Sequence, residues 1–198
     1  MDGLPADDHA LCGLKNDISQ GSQTAFRQFF YLFSKKLTSF VFSLVKSDEA
    51  AREIVDEVFI KIWRNRASIT NIQNIKVYLY AASKNTALNY LAAQAKNNII
   101  EPFDYYSVQL TDGQCPEKKL INSEVYRRIV ESIEALPPRC KMVFKLVRED
   151  GLSYKEVGEI LNISPKTVDA QMVIAVRQIS EKIKVHFEKL PLPSHRKK

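Results

Sequence analysis

Apolar residues recur three and four positions apart through most of this chain, and the strict alternation that marks a half-buried strand is nearly absent. From Thr24 to Val45 the stripe is Ala25, Phe26, Phe29, Phe30, Phe33, Leu37, Phe40, Val41 and Leu44, one face of a helix. Ser47 or Asp48 can cap a second helix. Its stripe runs Ala51, Ile54, Val55, Val58, Phe59, Ile62 and Trp63, and its other face carries Arg52, Glu53, Asp56, Glu57 and Lys61. A third helix is predicted from about Asn74 to Ala95, with Ile75, Leu79, Ala82, Thr86 and Leu88 inward. Six glycines in 198 residues weigh against a fold of many tight hairpins. The expectation is an all-α chain.

The period breaks after about Asn97. Pro102, adjacent Tyr105 and Tyr106, Thr111-Asp112-Gly113 and Cys115-Pro116 are turn formers of mixed polarity, the signature of a linker. Helicity resumes near Asn122 with Val125, Ile129, Ile133 and Leu136 on one stripe, and Pro137-Pro138 stops it. Arg139–Glu149 makes another helix, with Met142, Val143, Leu146 and Val147 as its apolar face. Asp150-Gly151 turns the chain into two more, Tyr154–Leu161 and Pro165–Lys184. The predicted architecture is two small helical domains, 20–97 and 123–184, joined by an irregular linker, 98–122, and followed by a basic tail, 185–198.

Charge and composition narrow the function classes. The net charge is +6, from 29 Lys+Arg against 23 Asp+Glu, which suits a polyanionic partner. Cys12, Cys115 and Cys140 have no paired spacing, which argues for reduced thiols rather than disulfides or a zinc site. No apolar run approaches the roughly 20 residues of a membrane span, and the acidic start lacks the pattern of a secretion signal. A cytoplasmic protein is expected. His9, His186 and His195 lie near the two ends, away from any ligand or triad constellation, and there is no glycine-rich phosphate loop. An enzyme is not expected, and no cofactor or metal is implied.

The densest signal is Leu152 to Arg177, LSYKEVGEILNISPKTVDAQMVIAVR. A helix-turn-helix needs a small residue where its helices cross, and Gly158 supplies it, at about 0.5–1 kcal/mol of helix propensity relative to alanine. It needs a turn residue tolerant of positive φ about four positions on, and Asn162 fits. Ile163 can plug the space between the helices, Ser164 caps the second and Pro165 takes its first position. With Val168, Met172, Ala175, Val176 and Ile179 as the buried stripe, Lys166, Thr167, Asp169, Ala170, Gln171 and Val173 lie on or near the outward face. Such a helix enters the DNA major groove by its N-terminal half and sets short polar side chains against base edges. Lys166 and Thr167 can also reach phosphates at the helix N-terminus.

Together with Ala135-Leu136-Pro137-Pro138-Arg139-Cys140 and Val143-Phe144, this segment resembles region 4 of the bacterial sigma-70 superfamily, in the form of the extracytoplasmic-function (ECF) group. Glu53-Ile54-Val55-Asp56-Glu57-Val58-Phe59-Ile60-Lys61-Ile62-Trp63 resembles region 2, as does Ile75-Lys76-Val77-Tyr78-Leu79-Tyr80 followed by Asn85, Leu88 and Asn89. The resemblance implies a sigma factor that directs promoter-specific initiation. Its partners would be core RNA polymerase, promoter DNA and an anti-sigma factor, membrane-associated in this group. It implies polymerase docking by Arg52, Asp56, Glu57 and Lys61, with Phe59 and Trp63 mostly core. Tyr78, Lys84, Asn85, Asn89 and Tyr90 would contact the melted −10 element, and the linker would thread the polymerase channel. Ser164, Lys166, Thr167, Asp169, Ala170 and Gln171 would meet the −35 duplex, with Arg177 on the phosphate backbone. Two departures stand out: Ala92-Ala93 where many relatives carry arginine, and Gly158 where alanine is more usual. The alternative reading is a stand-alone helix-turn-helix regulator, which would have to bind duplex DNA without polymerase.

Overall fold

The computed structural model describes residues 8–97 and 123–188, with side chains over 10–95 and 127–184, and every regular element among the described residues is a helix. The predicted linker and the end of the basic tail lie outside them. The N-terminal unit holds α1 (Asp8–Ser19), α2 (Gln23–Val45), α3 (Asp48–Arg64), a 3-10 helix (Arg66–Asn71) and α4 (Ile75–Asn97). The C-terminal unit is built on α5 (Ser123–Glu134), α6 (Pro138–Arg148), α7 (Tyr154–Leu161) and α8 (Pro165–Glu188). None of the described helices is long and apolar enough to cross a membrane.

In the N-terminal unit α2, α3 and α4 pack against one another, as their stripes require. Where α2 meets α3, the Phe59 ring lies 4.8 Å from Phe30, 5.9 Å from Phe29 and 6.2 Å from Phe26, each edge-on. Phe26 lies 4.9 Å from Trp63. Edge-to-face contact sets the positive rim of one ring on the negative face of the next, adding about 0.5–1.5 kcal/mol per pair beyond area burial. Side chains cap the helix starts: Ser22 Oγ accepts from the Ala25 amide, Ser47 Oγ from Ala50 and Asn74 Oδ1 from Val77, at 3.1–3.2 Å. Lys46 ends α2 in the left-handed region at φ 59°, its amide donating to Phe42 O. Asp48 and Glu49 open α3 and Lys61 and Arg64 close it, matching the helix dipole at both ends.

In this unit two features differ from the sequence reading. First, α1 precedes the predicted domain start; it buries Leu11 and Ile18 and packs on the 3-10 helix and α2. Second, α4 buries Ile75, Leu79, Tyr80, Ser83 and Ala87, while Ala82, Thr86 and Leu88 are only half-buried. Apolar residues spread around most of α4, so its period does not fix its inward face.

In the C-terminal unit α5 and α6 pack on α8. Leu136, Cys140 and Ala175 form one buried cluster, flanked by Ile133, Phe144, Ile174 and Ile179. The buried face of α6 is Cys140, Lys141, Val143 and Leu146; Met142 and Val147, predicted inward, are half-buried. Lys141 is only 3% exposed, and its Nζ meets Glu134 Oε2 at 3.0 Å. Lys145 Nζ meets the other oxygen of that carboxylate at 3.2 Å. One carboxylate between two ammonium groups thus ties α6 to the end of α5. A buried lysine is tolerated only because it is paired in this way.

Candidate nucleic-acid interface and protein-docking face

The segment from Ser153 onward is built as its spacing requires. Ser153 and Glu156 form a reciprocal capping box: the Ser153 amide donates to Glu156 Oε2 at 2.7 Å, and the Glu156 amide to Ser153 Oγ at 3.3 Å. Gly158 is buried within α7 where the two helices cross, and a Cβ there would lie 2.8 Å from Ile163 O and 3.5 Å from Pro165 N. The close contact is with main chain, which cannot swing aside, so this backbone needs glycine. Asn162 takes φ 57°, and the Ile163 amide returns to Gly158 O at 2.9 Å. Ser164 Oγ then accepts from the Thr167 amide at 3.0 Å and lies 2.8 Å from Thr167 Oγ1. Both hydroxyls are exposed, but they are engaged with each other at the cap.

The buried side of α8 is Val168, Met172 and Ala175. At 100° per residue, Lys166, Ala170, Val173 and Arg177 fall close to one line on the opposite side, with Asp169 beside them; all five are exposed. Arg177 sits 4.0 Å from Glu181, a loose pair on the surface.

Two sequence expectations for α8 are corrected. Gln171 does not share the outward face: it is half-buried on the inward side, and its Oε1 accepts from Cys140 Sγ–H at 2.8 Å. Burial pushes the Cys140 thiol above its ordinary range, which keeps it protonated and a donor at neutral pH. Val176, assigned to the buried stripe, is 44% exposed, and Val173 is 59% exposed. The helix is rotated relative to the predicted stripe, with Ile174 turned to the core instead.

On α4, Tyr78 is 43% exposed. Asn85 and Asn89, four apart, share an exposed face. Lys84 and Tyr90 are half-buried, and Tyr90 Oη accepts from Gln94 Nε2 at 2.7 Å. The five residues, spread over a little more than three turns, offer aromatic rings, a cation and amides, the mixture a single strand requires.

On α3 the charges stand outward in two adjacent rows, Arg52–Asp56–Ile60 and Glu53–Glu57–Lys61. Arg52 pairs with Asp48 at 2.6 Å and Lys61 with Glu57. Exposed pairs of this kind contribute only about 0.3–0.5 kcal/mol each, so they can be exchanged for a partner's charges at little loss. Asp56 and Glu53 have no ion-pair partner among the described residues. Ile60, 50% exposed within this charged face, is a candidate contact that sequence reasoning missed. Its position outside the stripe was the available signal. Phe59 is buried as expected, while Trp63 is half-buried with the Arg66 guanidinium 5.0 Å above its ring.

Comparison with known proteins agrees over both units. The family model for sigma-70 region 2 matches residues 31–97, and that for sigma-70 region 4 matches residues 126–179. The chain is 29% identical over 173 residues to the ECF RNA polymerase sigma-E factor of Haemophilus influenzae, covering 84% of this chain and 91% of that protein. It is 28% identical over 173 residues to the protein of the same name from Escherichia coli K12, covering 84% and 90%. Among solved structures, the sigma factor RpoE of Bartonella quintana, in complex with the anti-sigma factor NepR, aligns with a TM-score of 0.55 at 18% identity. That alignment covers 81% of this chain and 97% of that one, a likeness of fold.

Proposed function

The chain belongs to the sigma-70 family, in its extracytoplasmic-function group, and from that premise we propose how its parts divide the work of initiation. It is a sigma factor: it binds core RNA polymerase and directs promoter-specific transcription initiation, reading −35 DNA as duplex and −10 DNA as melted strand. It carries no catalysis of its own; phosphodiester chemistry belongs to the polymerase. The observation that carries this reading is the order of two sigma regions in one chain, region 2 over 31–97 and region 4 over 126–179. A stand-alone regulator has no use for the first.

Arg52, Asp56, Glu57 and Lys61 on α3, joined by Ile60, form the polymerase-docking face. Their exposure and exchangeable pairing support the assignment. Tyr78, Lys84, Asn85, Asn89 and Tyr90 on α4 hold the melted −10 strand. Asp169 and Ala170 meet −35 base edges, Lys166 and Arg177 meet phosphates, and Ser164 and Thr167 shape the helix end that faces the backbone. Gln171 acts from behind, through Cys140. The site of action is the cytoplasm, where polymerase and chromosome are, and an anti-sigma factor restrains the free protein, as the complex of the Bartonella relative suggests.

The test is reconstitution. Purified chain is added to bacterial core polymerase, and transcript starts are mapped on genomic fragments of the source organism. Discrete starts that depend on the chain are expected. No chain-dependent starts, with tight duplex binding by the chain alone, would overturn the reading in favour of a stand-alone regulator.

A further inference from the structure

The outward line of α8 is cationic at both ends and apolar in the middle: Lys166, Ala170, Val173, Arg177. Ala170 and Val173 lie three positions apart, about 4.5 Å along the axis, between one and two base-pair steps of about 3.4 Å; Lys166 and Arg177 lie eleven apart, about 16.5 Å, somewhat more than the roughly 12 Å width of the major groove. A helix laid in the groove therefore brings its end cations toward the flanking phosphates and holds the apolar pair over the base edges. Val173 at 59% exposure, with Val176 beside it at 44%, leaves apolar surface in water on the side where the helix meets DNA. The amide that could have read this stretch, Gln171, is turned inward to Cys140 at 2.8 Å. In the major groove only thymine offers an apolar group, its 5-methyl.

We propose that Ala170 and Val173 read thymine 5-methyl groups in the −35 duplex, with Lys166 and Arg177 fixing the register through phosphates. The inference rests on the sigma reading and adds the base chemistry of its −35 contact. The middle of the element is chosen by apolar contact rather than by bidentate hydrogen bonds, so each position discriminates modestly.

The experiment uses holoenzyme, the full chain on core polymerase. Duplexes randomised across the −35 region are selected for binding, and each thymine of the selected site is then replaced by deoxyuridine, which removes only the methyl. One or two neighbouring thymines should each lose about fourfold in affinity, the worth of one buried methyl. Val173→Ala, an exposed substitution by the strongest helix former, should weaken binding to the thymine duplex and abolish most of the difference between the two. A selected sequence that binds equally well with deoxyuridine overturns the inference, leaves the sigma reading standing, and assigns the exposed valines to a protein partner. Holoenzyme that selects no −35 sequence overturns both.

Discussion

The two units stabilise helix packing by opposite means. In the N-terminal unit large rings fill the space between helices: Phe59 touches Phe26, Phe29 and Phe30, and Phe40 meets Tyr80 at 5.2 Å. In the C-terminal unit the buried side chains are mostly small or aliphatic, such as Cys140, Val143, Val157, Val168 and Ala175. Short helices there are held by caps, a glycine crossing and a carboxylate between two lysines. The difference fits the tasks proposed for the two units. A docking platform needs one rigid helix face, which a thick aromatic core supplies. A recognition helix must stand clear of its neighbour to enter a groove, which leaves little area to bury and gives turn chemistry a larger share of the stability.

The contrast can be broken at both ends. Phe59→Ala should be the most damaging change, about 3–5 kcal/mol, the usual loss for a buried phenylalanine, read by denaturant unfolding as a shifted midpoint. A loss below about 1 kcal/mol would mean the ring cluster is not what holds α2 to α3. Glu134→Ala should cost about 3 kcal/mol, because it strands Lys141 in the interior. Adding Lys141→Met should recover much of that loss, and failure to recover would show that the lysine is held by something other than the pair. Gly158→Ala should destabilise by about 1–3 kcal/mol through overpacking against Ile163 O, outweighing alanine's better helix propensity; a gain in stability would contradict the close crossing. Ser164→Ala should cost about 1 kcal/mol, seen as faster amide exchange in the first turn of α8.

The helix-turn-helix was the most legible part of the sequence. Gly158, Asn162, Ser164 and Pro165 each have one backbone role, so residue type names position, and all four stand where their chemistry puts them. The α2 and α3 stripes were equally plain, since one face is apolar and the other is mostly polar in α2 and charged in α3. Legibility failed where a helix is not two-sided. Apolar residues surround α4, and tertiary contact rather than period selected Tyr80, Ser83 and Ala87. On α8, apolar side chains serve both core and outer face, so a stripe through Val176 was as consistent as the true one. Short α1 offers only Leu11, Leu14 and Ile18 as large apolar residues, too brief a stripe to read. Buried Lys141 was hidden because lysine reads as surface; only its partners on the folded chain, Glu134 above all, explain it. Among the candidate contacts Gln171 turns inward to Cys140, and Ile60, exposed among charges, drew no notice in the sequence.

In the proposed division of labour α3 holds polymerase while α8 reads DNA. Affinity of the chain for core polymerase in the absence of DNA tests it most directly, comparing the native chain with an Asp56→Ala, Glu57→Ala, Lys61→Ala variant whose unfolding midpoint is measured alongside. The expected result is at least a tenfold weaker complex, about 1.4 kcal/mol or more, with the midpoint unchanged. Equal affinity for the two proteins would contradict the claim and move the docking site off α3.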